Sequence, residues 1–326
     1  MTAGTAGEER MLHIAVVGCG GRGRGHLRCL RGFPDVRVTA VCDPVAVARE
    51  RAQQEAEVPR AYASVPALLD AERLDAVVVA TPAHLNAAAA LSCLERGMHT
   101  LLEKPPGLSV AETTALRDAA ARSGAKAMVG WNRRFHPLIV RARQAVEARG
   151  PILQLVGEFH KSIRRLHQSG MFPEHLMDCL LLETPIHSLD VVRALAGAEI
   201  TGVHGYTCRA TSPYRDIHAA LVGFANGCVA QLIHNYTTDA RLERYELHGD
   251  GISVYLEGVD RATVCCDGGR EEWVGAIGGG LAEQNRYFLD RVRDDLPIEL
   301  PAANLDEAIK TMRLAEAMLA APSPEE

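Results

Sequence analysis

The 326-residue sequence contains no apolar run that approaches the roughly 20 residues a membrane helix requires. Its first ten residues are small and acidic and lack the basic-then-apolar order of a secretory signal, so they read as a flexible extension over 1–10. Basic residues do not dominate. The 35 Lys and Arg against 41 Asp and Glu leave a net charge of −6, which removes any general pull toward nucleic acid or an anionic membrane surface. The nine cysteines are odd in number, hold no CxxC and include one adjacent pair, Cys265-Cys266. A disulfide framework is therefore not expected, and reduced thiols in a cytoplasm are. Internal repeats and low-complexity linkers are absent too. What is present is an ordinary globular composition, 47% hydrophobic and 23% charged, in a chain long enough for two domains.

The first 150 residues alternate short β-branched runs with longer helical patterns. His13–Val17, Val36–Cys42, Asp75–Ala80, His99–Leu102 and Lys126–Gly130 read as strands, and 24–32, 44–56, 64–72, 83–97 and 109–123 as helices. After its first residue the third strand is continuously apolar, as a parallel strand covered on both faces should be. This alternation predicts a doubly wound parallel sheet with right-handed crossovers. Beyond Gly150-Pro151 the texture changes. Leu153, Leu155 and Phe159 alternate with Gln154, Glu158 and His160, and turn signals at Asn226-Gly227 and Gly249-Asp250-Gly251 imply hairpins. The second half reads as an α+β domain with a largely antiparallel sheet and few helices. It closes with a helix over about 304–321 that starts at an Asn304/Glu307 capping box.

Gly18-Cys19-Gly20-Gly21-Arg22-Gly23 follows the first strand directly and opens a helix. Glycines at these positions permit a tight turn and close backbone approach, so a pyrophosphate can rest on the helix N-terminus. Asp43 ends the second strand twenty residues beyond Gly23, where a carboxylate would accept hydrogen bonds from the adenosine ribose. The alternative is a Gly-rich turn of some other α/β protein, with Asp43 capping the next helix. An Asp here favours NAD, because it would repel a 2′-phosphate; Arg22 and Arg24 could offset that and admit NADP.

Glu103-Lys104-Pro105-Pro106 lies at the C-terminal end of a strand, the edge at which open parallel sheets bind ligands. A partly desolvated Lys there can hydrogen-bond a carbonyl or alkoxide oxygen and shuttle its proton. Together with the Gly-rich turn, Asp43 and Thr81-Pro82, this sequence resembles the Gfo/Idh/MocA family (glucose–fructose oxidoreductase, inositol dehydrogenase and rhizopine-catabolism oxidoreductases). Val129–Pro137 resembles that family's segment linking two domains. The resemblance spans nearly the whole chain. It implies a Rossmann domain over 11–132 and a substrate-binding and oligomerisation domain over 133–326, with a large open, mostly antiparallel sheet and a last helix that could pack back on the first domain. It also implies homodimers or homotetramers built through the second sheet. To the cofactor contacts it adds Thr81, Pro82, Glu103, Lys104, Trp131 and Arg134.

The family's second-domain signature is an Asp four residues before a His, with another Asp three residues after it. Here these positions hold Glu183, His187 and Asp190. Thr184 is a good N-cap and Pro185 a favoured first helical residue, so a helix from Pro185 to about Ala196 puts His187 in its first turn. The positive helix end should keep His187 neutral and able to act as a base. By resemblance, Lys104 and His187 flank a reacting carbinol, Glu183 orients His187 or binds a neighbouring hydroxyl, and Asp190 supports the helix or the substrate.

The sequence departs from the family at three places. Glu replaces Asp at 183, Cys179-Leu180-Leu181-Leu182 replaces the usual glycines, and Ala83 and Asn86 stand where Asn and His are common. These changes bear on the substrate rather than the fold. No metal-ligand pattern is present, because Pro185 breaks the helix that would align Cys179, Glu183 and His187. The expected activity is an NAD(P)-dependent hydride transfer on a CH–OH group of a sugar, sugar derivative or cyclitol. A redox-neutral enzyme working through a transient ketone and a non-catalytic sensor are the alternatives.

Overall fold

The computed structural model describes residues 10–170, 172–275 and 279–322. Most of the expected N-terminal extension, residues 1–9, therefore lies outside the described residues. The chain divides into two compact units.

The first unit comprises residues 10–107, 112–130 and 284–305. Its elements run β1 (Leu12–Val17), α1 (Gly21–Leu30), β2 (Val36–Cys42), α2 (Ala46–Ala56), β3 (Arg60–Tyr62), α3 (Val65–Ala71), β4 (Ala76–Val79), α4 (Ala83–Leu94), β5 (His99–Glu103), α5 (Val110–Ser123) and β6 (Ala127–Gly130). The strands form one parallel sheet in the order β3-β2-β1-β4-β5-β6. That is the dinucleotide-binding strand order, with its topological switch between β1 and β4. Every residue of β4 and β6 is buried, as helices on both faces require. The three-residue β3 is too short to show a period and carried no readable signal.

The second unit comprises residues 108–111, 131–283 and 306–322. It holds α6 (Pro137–Glu147), β7 (Gln154–Ser162), α7 (Ile163–Ser169), α8 (Ile186–Ala196), β8 (Ile200–Cys208), β9 (Ile217–Phe224), β10 (Val229–Asn235), β11 (Thr237–Gly249), β12 (Ile252–Glu257), β13 (Arg261–Cys266) and β14 (Gly269–Val274). Then follow α9 (Leu281–Arg293), which groups with the first unit from Gln284 on, and α10 (Leu305–Leu319). The segment that joins the first unit is thus 284–305, ahead of the last helix, while 306–322 group with the second.

The eight strands lie in the order β14-β13-β12-β11-β7-β10-β9-β8 and pair antiparallel except for β7 with β10. Both expected hairpins form, with Gly227 and Gly251 in the left-handed region at φ +83° and +65°. One face of the sheet packs against helices. Gly157 of β7 lets α8 approach, since a Cβ there would meet Val192 and Leu232 side chains at 2.9 Å. Helices are more numerous than expected. The buried positions Leu138, Ile139, Ala142 and Val146 of α6 recur at helical spacing in the sequence.

Candidate functional site

The first unit builds a cradle at the switch point. Gly18 sits at φ +93°, and a Cβ on it would lie 2.4 Å from the carbonyl oxygen of Ala80. A Cβ on Gly23 would lie 1.8 Å from the Gly18 carbonyl oxygen, so α1 can start this close to β1 only with glycine there. Gly20 and Gly21 differ: an added Cβ meets nothing within 4 Å. No protein atom requires these two glycines, and the space beside them is open. The start of α1 has no side-chain cap and no acidic residue in its first turn, so its leading N–H groups and positive dipole end are left for an anion. These features fit the diphosphate of a dinucleotide.

Asp43 follows β2, and its carboxylate ties the turn down. Oδ2 accepts the N–H of Cys19 at 2.8 Å and Oδ1 that of Val45 at 2.9 Å. Each oxygen keeps a second lone pair, and the residue is half-buried, as a ribose-binding acid must be. Arg22 points the other way, toward Glu103 at the end of β5, while Arg24 bonds the Cys19 carbonyl at 3.1 Å and pairs with Glu55 at 3.3 Å. The suggestion that Arg22 offsets Asp43 to admit a 2′-phosphate is therefore corrected. In the sheet order, β2 and β5 lie on opposite sides of β1.

Glu103 is buried, and Lys104 beside it is half-buried. Burial alone would raise the Glu103 carboxyl, but Arg22, His26 and Lys104 together hold it down at about 2. It is a fixed anion. Asn86, fully buried, holds the segment: its amide nitrogen donates to the carbonyls of Glu103 and, at 2.9 Å, of Pro105, so both neighbours of Lys104 are clamped. The Asn86 carbonyl oxygen in turn accepts the Thr81 hydroxyl at 3.2 Å. Sequence reasoning noted Asn86 only as a departure. That it follows Thr81-Pro82 at the start of a helix was the available signal.

The second unit carries the residues of the second-domain signature. Pro185 has helical angles and α8 follows, with His187 in its first turn and 5% exposed. Thr184 does not cap the helix through its side chain. Its hydroxyl donates to Glu183 Oε2 at 2.6 Å, a correction to the expected N-cap. Glu183 is enclosed by donors, with Lys161 Nζ at 2.8 Å from Oε1 and the Tyr236 hydroxyl at 3.0 Å from Oε2. Tyr236 is pushed well above the ordinary phenol range, first by burial and then by this carboxylate, and remains neutral. Lys161 and Tyr236 are functional candidates that the sequence did not single out.

Asp190, which the resemblance gives to the helix or the substrate, is ion-paired within the second unit. Its oxygens take Nε and Nη2 of Arg134 at 2.8 and 2.7 Å, with Thr311 at 3.1 Å, and the paired side chains are 0% and 1% exposed. Arg134 lies 5.7 Å from the centre of the fully buried Trp131 ring. Burial lowers the Arg134 pKa, but Asp190 more than offsets this and holds the guanidinium charged. Asp190 therefore has no exposed face for a substrate, and Trp131 and Arg134 have almost none for a cofactor. The Arg134–Asp190 pair ties α8 to the segment that carries Trp131. Next to His187 in the chain, Ser188 donates to the Pro185 carbonyl at 2.8 Å and so accepts from Nε2 of His234. His234 is driven well below the ordinary imidazole range by burial and by His218 and His160, which keeps this support neutral.

Residues 12–131 match the model described as "Oxidoreductase family, NAD-binding Rossmann fold" (GFO_IDH_MocA), and 139–255 match the GFO/IDH/MocA C-terminal domain. Scyllo-inositol 2-dehydrogenase (NAD(+)) of Bacillus subtilis is 28% identical over 256 residues, covering 72% of this chain and 71% of that protein. UDP-N-acetylglucosamine 3-dehydrogenase of Acidithiobacillus ferrooxidans is 31% identical over 229 residues, covering 68% and 67%. The crystal structure of a dehydrogenase from Chromobacterium violaceum superposes with a TM-score of 0.83 at 22% identity, over 95% of this chain and 94% of that one.

Proposed function

The chain belongs to the Gfo/Idh/MocA oxidoreductase family, and from that premise we propose that it moves a hydride between NAD and a secondary alcohol or ketone of a sugar, sugar derivative or cyclitol. The observation that carries this reading is the cradle at α1, where two glycines with no neighbour face an uncapped helix start beside Asp43. The names of the relatives, dehydrogenases of an inositol and of a UDP-linked amino sugar, support the substrate class. When bound, the nicotinamide accepts or returns the hydride.

The chain's own residues manage the proton. Lys104, held by the Asn86 clamp, donates to the reacting oxygen, and His187 takes or returns the hydroxyl proton. Glu183 binds a neighbouring hydroxyl or orients His187. Asp190 acts at a distance, through Arg134 and the placement of α8. The protein works in a cytoplasm as a homo-oligomer. Support for the oligomer comes from Tyr206, Leu221, Val229 and Ile233, which leave an apolar strip exposed on β8, β9 and β10. Among the described residues, no helix is long and apolar enough to cross a membrane.

The test is absorbance at 340 nm with NAD⁺ and a panel of sugars, sugar acids, amino sugars and inositols. Accumulation of NADH with one of them, lost in Lys104→Ala, supports the reading. Tight NAD⁺ binding without accumulation points to a redox-neutral reaction, and absence of NAD⁺ binding refutes the proposal.

A further inference from the structure

Arg22 stands at the second position of α1, directly after the two glycines that face open space. Its guanidinium is gripped from one edge. Nε at 3.1 Å and Nη2 at 2.6 Å both donate to Oε1 of Glu103, while Nη1 makes no hydrogen bond to the described residues. The Arg22 side chain is 48% exposed, whereas that of Glu103 is 5% exposed. The same Oε1 also receives Nε2 of the fully buried His26 at 3.0 Å, and Nδ1 of that ring is fixed by Oδ1 of Asn285 at 3.1 Å. A chain of buried groups thus ends on one half-exposed cation beside the Gly-rich turn.

A carboxylate in this position has no face for a ligand. What it can do is set the place of the guanidinium. We propose that Arg22 is a diphosphate-binding residue of this chain and that Glu103 is its positioning residue, holding one edge so that Nη1 meets an incoming phosphate oxygen.

The assignment rests on the NAD reading above and goes beyond it, because it gives the acid of Glu103-Lys104-Pro105 a task separate from that of the lysine. An arginine on the surface loses side-chain freedom when it grips an anion. One already pinned has lost that freedom before the ligand arrives, and its planar fork is matched to phosphate oxygens. Without Glu103 the same arginine would be a mobile surface charge, screened by salt.

The experiment is competition against NADH fluorescence in the full chain, with ADP-ribose, which carries the diphosphate, and adenosine, which does not. Arg22→Ala should weaken ADP-ribose by about 10- to 100-fold, the range of a charge-assisted hydrogen bond, and leave adenosine within about twofold. Arg22→Lys should fall in between, because it keeps the charge and loses the fork. Glu103→Gln should weaken ADP-ribose selectively, and in the Arg22→Ala background it should add nothing. Equal losses for both ligands, or a Glu103→Gln effect that survives removal of Arg22, would overturn the proposal. The Arg22 variants carry the test alone if Glu103→Gln does not fold. If the unaltered protein binds neither NAD⁺ nor ADP-ribose, the NAD reading itself falls; if it binds both and Arg22→Ala binds them equally well, only the assignment of Arg22 falls.

Discussion

Gly18 and Gly20 stand two residues apart in one motif, yet alanine at the two positions should have opposite consequences. At Gly18 the backbone has φ +93°, which costs an L-residue about 1–2 kcal/mol. The new Cβ would also sit 2.4 Å from the Ala80 carbonyl oxygen and 2.9 Å from the Thr81 nitrogen, so β1 and β4 must part. Such overpacking adds about 1–3 kcal/mol. Gly18→Ala should thus lose about 2–5 kcal/mol, a fall in melting temperature on the order of 5–20 °C for a unit of this size. At Gly20 the angles are φ −68° and ψ −170°, open to any residue, and the Cβ meets nothing. Gly20→Ala should melt within about 0.5 kcal/mol of the parent, yet place a methyl group where the diphosphate approaches. Its NAD⁺ affinity should fall by at least about tenfold, as a few tenths of an ångström of displacement weakens several N–H contacts together. Calorimetry and NADH fluorescence titration measure the two effects. A Gly20→Ala protein that binds NAD⁺ like the parent would refute the cradle, and a Gly18→Ala protein that melts like the parent would refute the steric argument.

Asp190→Asn leaves Arg134, with a side chain 1% exposed, short of its carboxylate, and should lose about 3–5 kcal/mol in urea denaturation, much of it regained in Arg134→Met/Asp190→Leu. A fully stable but inactive Asp190→Asn would instead make this acid a catalytic residue. Asn86→Ala strips the hydrogen-bond donor from two carbonyls beside Lys104 and should cost about 2–4 kcal/mol by denaturation, with Asn86→Leu no better because it cannot donate; neutral behaviour of both would remove the clamp. The His218 pKa is lowered from 6.5 to about 4, chiefly by burial, so the unfolded chain binds the proton first on acidification. Stability from this group is complete above pH 6.5 and is lost as pH falls through 4. The loss is about 3 kcal/mol, and His218→Gln should flatten the urea midpoint over that interval.

The features legible in the sequence are those that a backbone imposes on its own residues. Gly18 and Gly23 must be glycine because carbonyl oxygens lie where a Cβ would go, and β4, whose end Gly18 approaches, is a continuous apolar run. The start of α8 was legible for a similar reason, since Pro185 can stand only where no N–H partner is needed. Side-chain tasks were less legible, because the partner that decides them lies far along the chain. Arg22 and Glu103 are 81 residues apart, Arg134 and Asp190 are 56 apart, and His26 and Asn285 are 259 apart. Nothing local to Asp190 separates an acid that touches substrate from one that anchors a helix.

One physical rule could have narrowed the choice. A carboxylate on the buried face of a helix must have a cation, and in a chain with this many arginines the cation is an arginine unless something recruits it elsewhere. Applied to Asp190, the rule asks which arginine is itself flanked by residues that bury it. Trp131-Asn132-Arg133-Arg134-Phe135 offers two. The structure gives Arg133 to Glu243 and Arg134 to Asp190. The segment thus supplies two ion pairs of the second unit. Trp131 lies beside the Arg134 guanidinium, and the Arg134–Asp190 pair, closed off from water, leaves either partner an uncompensated charge if the other is lost.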